Sequence, residues 1–402
     1  MSNTQKKNVP ELRFPEFEGE YSSDIFGNLA TNKSDKFNPQ NENASIDIEL
    51  DCIEQNTGRL IKIYNSKEFS SQKNKFNPQN VLYGKLRPYL NKYYFTKKSG
   101  VCSSEIWVLK STKEDKLLNL FLYCFIQTKR YSDVASKSAG SKMPRADWGL
   151  IESIRVYFPK LCEQQKIGEF FSKLDRQIEL EEQKLELLQQ QKKGYMQKIF
   201  SQELRFKDEN GNDYPDWEEK QLGEVAEIIG GGTPSTKNKL YWNGEINWFS
   251  PIEIGNKTYV YSSQKKITEE GLRKSSAKIL PVGTILFTSR AGIGKTAILA
   301  KESTTNQGFQ SILPRKGVLD SYYVYTISNI LKILAEKVGA GSTFSEVSKK
   351  QMEQLNLNIP MIKEQKNISK FFSKFDNLIE IHERKLEFLK QRKQSLLQKM
   401  FV

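Results

Sequence analysis

The chain has 402 residues, 37% of them hydrophobic and 11% aromatic, with a formal net charge of +14. That is enough apolar material for two or three folded domains. It excludes a helical membrane span, because the longest apolar runs, such as Leu117 to Ile126, fall well short of the ~20 residues needed to cross a bilayer. The basic excess suits a polyanionic partner, since cations bound to phosphates release condensed counterions, and it is spread along the chain: residues 1–160 carry +7 and residues 359–402 carry +5, so no single arm holds it.

From the amino terminus, Met1 to Pro10 is polar and lacks the apolar core of a secretion signal, which predicts a cytoplasmic protein. Glu11-Leu12-Arg13-Phe14 and Phe26-Gly27-Asn28-Leu29-Ala30 open a first globular stretch. Within it the strand-like Val81-Leu82-Tyr83 leads into Gly84-Lys85-Leu86-Arg87-Pro88-Tyr89-Leu90-Asn91-Lys92, followed by Ser103-Ser104-Glu105. Apolar strands hold such loops rigidly, glycine permits close backbone approach, and arginine offers a two-pronged donor for guanine while lysine fixes phosphates. Lys85, Arg87, Tyr89 and Lys92 are therefore candidate DNA contacts. Cys52, Cys102, Cys124 and Cys162 form no C-x-x-C pair, which predicts neither a disulfide framework nor a zinc site.

The segment from Pro159 to Phe200 carries apolar residues at alternating steps of three and four: Phe171, Leu174, Ile178, Leu185, Leu188, Tyr195 and Ile199. This is the seam of a coiled-coil helix. About forty residues at roughly 1.5 Å each make a rod of about 60 Å. Polar residues interrupt the seam at Glu181 and Lys192.

After this helix the opening repeats faintly, as Glu203-Leu204-Arg205-Phe206 and Leu222-Gly223-Glu224-Val225-Ala226. A second insert follows, with Ile285-Leu286-Phe287 leading into Thr288-Ser289-Arg290-Ala291-Gly292-Ile293-Gly294-Lys295-Thr296, and with Asn306-Gln307-Gly308-Phe309-Gln310 downstream. Ser289, Arg290, Lys295, Thr296 and Gln307 are the candidate DNA contacts here, the amides being suited to adenine edges. Pro360 to Phe401 then repeats Pro159 to Phe200 at a constant offset of 201, with 21 of 42 positions identical. Its seam runs through Phe372, Phe375, Ile379, Leu386, Leu389, Leu396 and Met400, interrupted at His382 and Lys393. Ala139-Gly140-Ser141 and Ala340-Gly341-Ser342 keep the same offset. The chain is thus a duplication in which the frame is kept and residues 31–138 and 227–338 have diverged. If the two helices pair antiparallel, Glu181 and His382 meet near the middle and fix the register.

Candidates for catalysis fail on inspection. His382 is the single histidine and lies in a helix seam, so histidine triads and multi-histidine metal centres are excluded. Asn38-Pro39-Gln40-Asn41 and Asn77-Pro78-Gln79-Asn80 lack the second proline and the aromatic of a methyltransferase site. Ser289 stands where a phosphate-binding loop needs its first glycine, which argues against nucleotide hydrolysis at Lys295. Pro215-Asp216 with Glu218-Glu219-Lys220 is too compressed for a nuclease metal site. The reading is of a non-enzyme, with no catalytic residue, no metal and no cofactor.

In its order of insert, long helix, insert, long helix, in the helix openings E-Q-x-x-I-x-x-F-F-S-K-x-D-x-x-I-E, and in the two loop motifs at 84–90 and 288–295, the chain resembles the specificity (S) subunit of type I restriction–modification systems. The resemblance covers nearly the whole chain. It implies an α+β fold of two globular target-recognition domains joined by two long antiparallel coiled-coil helices with pseudo-twofold symmetry. The corresponding division is 1–158 and 207–359 for the recognition domains and 159–206 and 360–402 for the helices. It also implies a double-stranded DNA partner read as a bipartite asymmetric site, two methyltransferase (M) subunits, restriction (R) subunits and no membrane. Phe170, Phe171, Phe371 and Phe372 exceed what one seam needs, which suits docking of a partner helix or packing on their own recognition domain. A coiled-coil assembly protein without sequence recognition is the competing reading.

Overall fold

In the computed structural model the described residues are 8–402, except 44, 69, 138–141, 291 and 340–345. The repeated Ala-Gly-Ser runs at 139–141 and 340–342 lie outside them. The chain forms two compact units, one of residues 1–186 with 382–402 and the other of residues 187–381. Two helices dominate, Leu161–Phe200 and Ile362–Met400. Each unit draws its helical part from both: the start of one helix lies against the end of the other, antiparallel. No helix among the described residues is long and apolar enough to cross a membrane.

In the first unit, Ser22–Ile25 pairs antiparallel with Arg155–Phe158 and closes the domain next to the helix start. A four-stranded sheet runs in the order Ala30–Thr31, Ile106–Ser111, Val81–Gly84, Tyr93–Phe95. A second, five-stranded sheet includes Ile46–Ile48 paired in parallel with Gly100–Cys102. The second unit repeats this frame. Glu218–Gln221 pairs with Asn356–Ile359, Gln310–Pro314 and Thr296–Leu299 flank Ile285–Phe287, and Trp242–Phe249 pairs in parallel with Thr304–Thr305. The all-apolar strands Val81-Leu82-Tyr83 and Ile285-Leu286-Phe287 are buried on both faces, as central strands must be.

The duplicated motifs have a common physical cause. Glu163 and Gln164 in the first turn of one helix, and Glu364 and Gln365 in the other, are all buried. A buried carboxylate requires partners. Arg13 supplies them to Glu163 through two hydrogen bonds of 2.8 and 2.7 Å, and Arg205 to Glu364 at 3.2 and 2.8 Å. Gln164 accepts from the Leu118 amide and donates to the carbonyls of Lys116 and Pro159. Gln365 accepts from Asp320 and donates to Val318 and Pro360. Phe14 packs edge-on to Phe170 and Phe206 to Phe371, with ring centroids 5.7 and 5.6 Å apart. The faint echo E-L-R-F is therefore the strap that fastens each domain to its helix. Gly27 and Gly223 recur because the backbone passes so close to the next helix that a Cβ would lie 2.9 Å from Glu152 Cβ and 3.0 Å from Glu353 Cβ.

The interruptions of the seam are matched. In the first unit Glu181 accepts from His382 Nδ1 and lies 2.8 Å from Lys385 Nζ, while Lys393 lies 2.6 Å from Asp175. In the second unit Lys192 pairs with Asp376, which also accepts from Tyr322 at 2.7 Å.

Candidate nucleic-acid interface

Each unit presents one hairpin loop at the end of its central strand, and the two are built on the same hydrogen bonds. In the first unit the Lys85 amide donates to Glu105 O (3.0 Å), the Ala146 amide to Lys85 O (2.8 Å) and the Gly84 amide to Lys92 O (2.8 Å). In the second, the Ser289 amide donates to Gly308 O (2.9 Å), Val347 to Ser289 O (2.9 Å) and Thr288 to Lys295 O (3.0 Å). Lys85 thus corresponds to Ser289, Lys92 to Lys295, and Glu105 to Gly308. Each loop is gripped from two sides by segments far away in sequence.

On this shared frame the side chains differ. In the first unit Arg87 is exposed and sits in the left-handed region at φ 52, ψ 61, directly before Pro88. That conformation is disfavoured for a non-glycine, pre-proline residue and persists only where the surroundings enforce it. Here the Arg87 amide donates to Pro144 O at 2.7 Å and its carbonyl accepts from Leu90 at 2.9 Å. Tyr89 is 57% exposed, and Lys85 is half-buried. Arg145 holds Glu105 through two hydrogen bonds of 2.9 and 3.0 Å, which keep the Glu105 carboxyl below its usual pKa. Lys92, expected to reach DNA, instead donates its ammonium to Leu50 O at 2.5 Å inside the domain.

In the second unit the loop carries glycines at positive φ, Gly292 at 104 and Gly294 at 91, and Thr288 Oγ1 accepts from the Lys295 amide at 2.9 Å. Arg290 is half-buried and its backbone pairs with that of Glu346 in an isolated antiparallel bridge, and Lys295 and Gln307 are exposed. Thr233 donates to Gln307 Oε1, joining a further loop to the cluster. Ser289 and Thr296, also expected as contacts, are buried: Ser289 ties three segments through its backbone, and Thr296 begins a strand in register with Phe287. The phosphate-loop reading of residues 289–296 fails on geometry, because they join two antiparallel strands and no helix begins at Lys295.

No local pattern points to Lys142, Met143 and Arg145, which lie exposed beside Arg87, or to Thr233 beside Gln307. Hydrogen bonds across more than fifty residues bring them there. Phe171 and Phe372 are buried in the cores of their own units, and Phe170 and Phe371 are engaged by Phe14 and Phe206. Phe170 and Phe371 are only partly buried and keep some surface open. The large apolar side chains exposed on the helices are others, among them Leu180, Leu187, Ile381 and Phe388, and these repeat at the 201 offset.

Residues 23–190 and 214–391 each match the family described as the type I restriction modification DNA specificity domain. The type I restriction enzyme MjaIX specificity subunit of Methanocaldococcus jannaschii is 38% identical over 211 residues, 50% of this chain and 48% of that protein. The EcoR124I/EcoR124II specificity subunit of Escherichia coli is 35% identical over 166 residues, 40% of this chain and 41% of that protein. The chain spans about half or less of the length of these two relatives. A solved type I restriction–modification S subunit from M. genitalium has the same fold, with a TM-score of 0.63 and 15% identity over 98% of this chain and 99% of that one. With the two matched stretches taking in most of its length, the chain belongs to the family of type I restriction–modification DNA specificity domains, of which it carries two copies.

Proposed function

We propose that this chain is the DNA sequence-recognition subunit of a type I restriction–modification complex. In this reading it performs no catalysis itself. Each recognition domain, 1–158 and 207–359, reads one half of a bipartite asymmetric site. The helical segments 159–206 and 360–402 set the separation of the halves and dock two methyltransferase subunits, with restriction subunits joining the complex in the cytoplasm. The observation that carries it is the pair of hairpin loops, which share three corresponding backbone hydrogen bonds and differ in exposed chemistry. A duplicated frame with diverged loops is what reading two unlike sequences requires.

Arg87, Lys85 and Tyr89, flanked by Lys142 and Arg145, form the reading cluster of the first unit; Arg290, Gln307 and Lys295, flanked by Thr233, form that of the second. Lys92, Ser289 and Thr296 support the loops from within. The exposed apolar residues Leu180, Leu187, Ile381 and Phe388, spaced by seven on each helix, are the surface for the methyltransferase subunits, because isolated apolar faces on helices are stabilised by a partner helix.

The test is genome-wide mapping of methylated adenine in a host expressing this chain with its methyltransferase subunit. A single split motif with unlike halves is the expected result. Equal affinity of the assembled complex for random and mapped duplexes would support a coiled-coil assembly protein instead.

A further inference from the structure

Beside its hairpin loop, each unit carries a second exposed element on the duplicated frame. In the second unit the strand Trp242–Phe249 ends in a tight turn, Pro251–Glu253, whose start is capped by the Ser250 amide donating to Glu253 Oε2 at 3.2 Å. The Asn306 amide donates to Phe249 O at 3.0 Å and ties the turn to the segment bearing Gln307. In the first unit Leu50–Cys52 forms the same turn, with the Glu49 amide on Cys52 Sγ at 3.3 Å and the Ser103 amide on Ile48 O at 3.1 Å. At the offset of 201, Asp51 and Ile252 occupy the same tip.

Their chemistry is opposite. Asp51 is a carboxylate held by Lys62 at 2.5 Å and the Tyr64 hydroxyl at 2.9 Å. Ile252 is 81% exposed, the highest value among the exposed large hydrophobics. Gly308 shows what surrounds its turn: a Cβ there would lie 2.9 Å from Pro251 Cγ, 3.0 Å from Asn306 Oδ1 and 3.6 Å from Arg290 Nε. The turn that carries Ile252, the guanidinium of Arg290 and the carboxamide of Asn306 therefore converge on one point.

We propose that Ile252 is a specificity-determining residue that packs on the 5-methyl group of a thymine in the half-site read by the second unit. This rests on the DNA-reading assignment above. An isoleucine side chain forms no hydrogen bond to a base edge, and the aliphatic group that DNA displays in its major groove is the thymine methyl. The neighbouring arginine and asparagine are the residue types that read guanine and adenine in that same groove. The leading proline and the cap hold the turn rigid, so little conformational freedom is lost on contact. Because the first unit has a paired carboxylate at this tip, the dependence belongs to one half-site.

The experiment uses the full chain assembled with its methyltransferase subunits and duplexes of the mapped motif in which each thymine in turn is replaced by deoxyuridine, which lacks the methyl. In one half-site a single replacement weakens binding about fourfold, the value of one buried methyl group. Ile252→Ala weakens binding to the unmodified duplex by a similar factor, abolishes the penalty at that base and leaves every base of the other half-site unaffected. Its thermal midpoint stays that of the parent, since the side chain supports nothing in the fold. A parent protein that binds the motif specifically with no deoxyuridine penalty, or Ile252→Ala with every penalty retained, overturns the inference. A parent that does not distinguish the motif from random DNA overturns the DNA-reading assignment as well.

Discussion

The ammonium of Lys393 lies 2.6 Å from the Asp175 carboxylate, and the same pair recurs in the second unit between Lys192 and Asp376, each partner displaced by 201 residues. Two lysines that interrupt an apolar seam are thus each matched by an aspartate from the opposing helix. Burial opposes the charge on Lys393, yet Tyr93 and Asp175 hold its pKa above the ordinary lysine value. Removing one member strands the other charge in a desolvated site, which typically costs about 3 kcal/mol, whereas exchanging both for apolar residues is close to neutral. Lys393→Ala should therefore destabilise the first unit by roughly that amount, and the double change Asp175→Leu with Lys393→Leu by much less. Urea unfolding followed by circular dichroism checks the difference.

Glu181 and His382 form the second polar contact of the first unit. Burial raises the Glu181 pKa, but Lys385 and His382 outweigh it and the carboxyl ends below its usual value. A depressed folded pKa stabilises the fold at pH above the unfolded value of about 4.3, and that contribution disappears as pH falls through the folded value. The parent should lose more stability between about pH 5 and pH 3 than Glu181→Gln does. Replacing both residues with leucine removes the feature that specifies register, so slippage or a changed oligomeric state should appear in solution scattering.

The Arg13–Glu163 and Arg205–Glu364 straps predict local damage. Arg13→Leu leaves the Glu163 carboxylate buried without its guanidinium, the Tyr21 hydroxyl still donating to it, a loss of about 3 kcal/mol. Hydrogen exchange should show the effect concentrated in residues 8–25 and the first turns of the helix at Leu161, with Arg205→Leu doing the same around Leu204 and Ile362.

For DNA reading, Arg87→Ala should weaken binding about 10- to 100-fold and relax the methylation motif at one position of one half-site, the magnitude of a bidentate arginine–guanine contact. Arg87→Lys should recover only part, because a single ammonium lacks the fork. A motif unchanged at every position would remove Arg87 from the reading cluster.

Inserting about four residues between Phe200 and Phe206 should change the number of unspecified bases tolerated between the halves while each half stays as before. Methylome sequencing reads both outcomes in one experiment.

The sequence by itself determined the duplication, the two long helices, the seam and its polar interruptions, because these rest on spacing along one chain. The E-Q openings and the E-L-R-F echoes were visible as repeats before their role as straps was. Only the tertiary structure decided which loop residues face outward. Ser289 and Thr296 turned inward, and Lys92 spent its ammonium on Leu50 O, although all three share the composition of exposed contacts. Lys142 and Arg145 arrived beside Arg87 through an amide–carbonyl bond at Pro144 that no local pattern encodes. Burial and hydrogen-bond partners are properties of segments meeting in space, and the spacing of residues along one segment does not encode which segments meet.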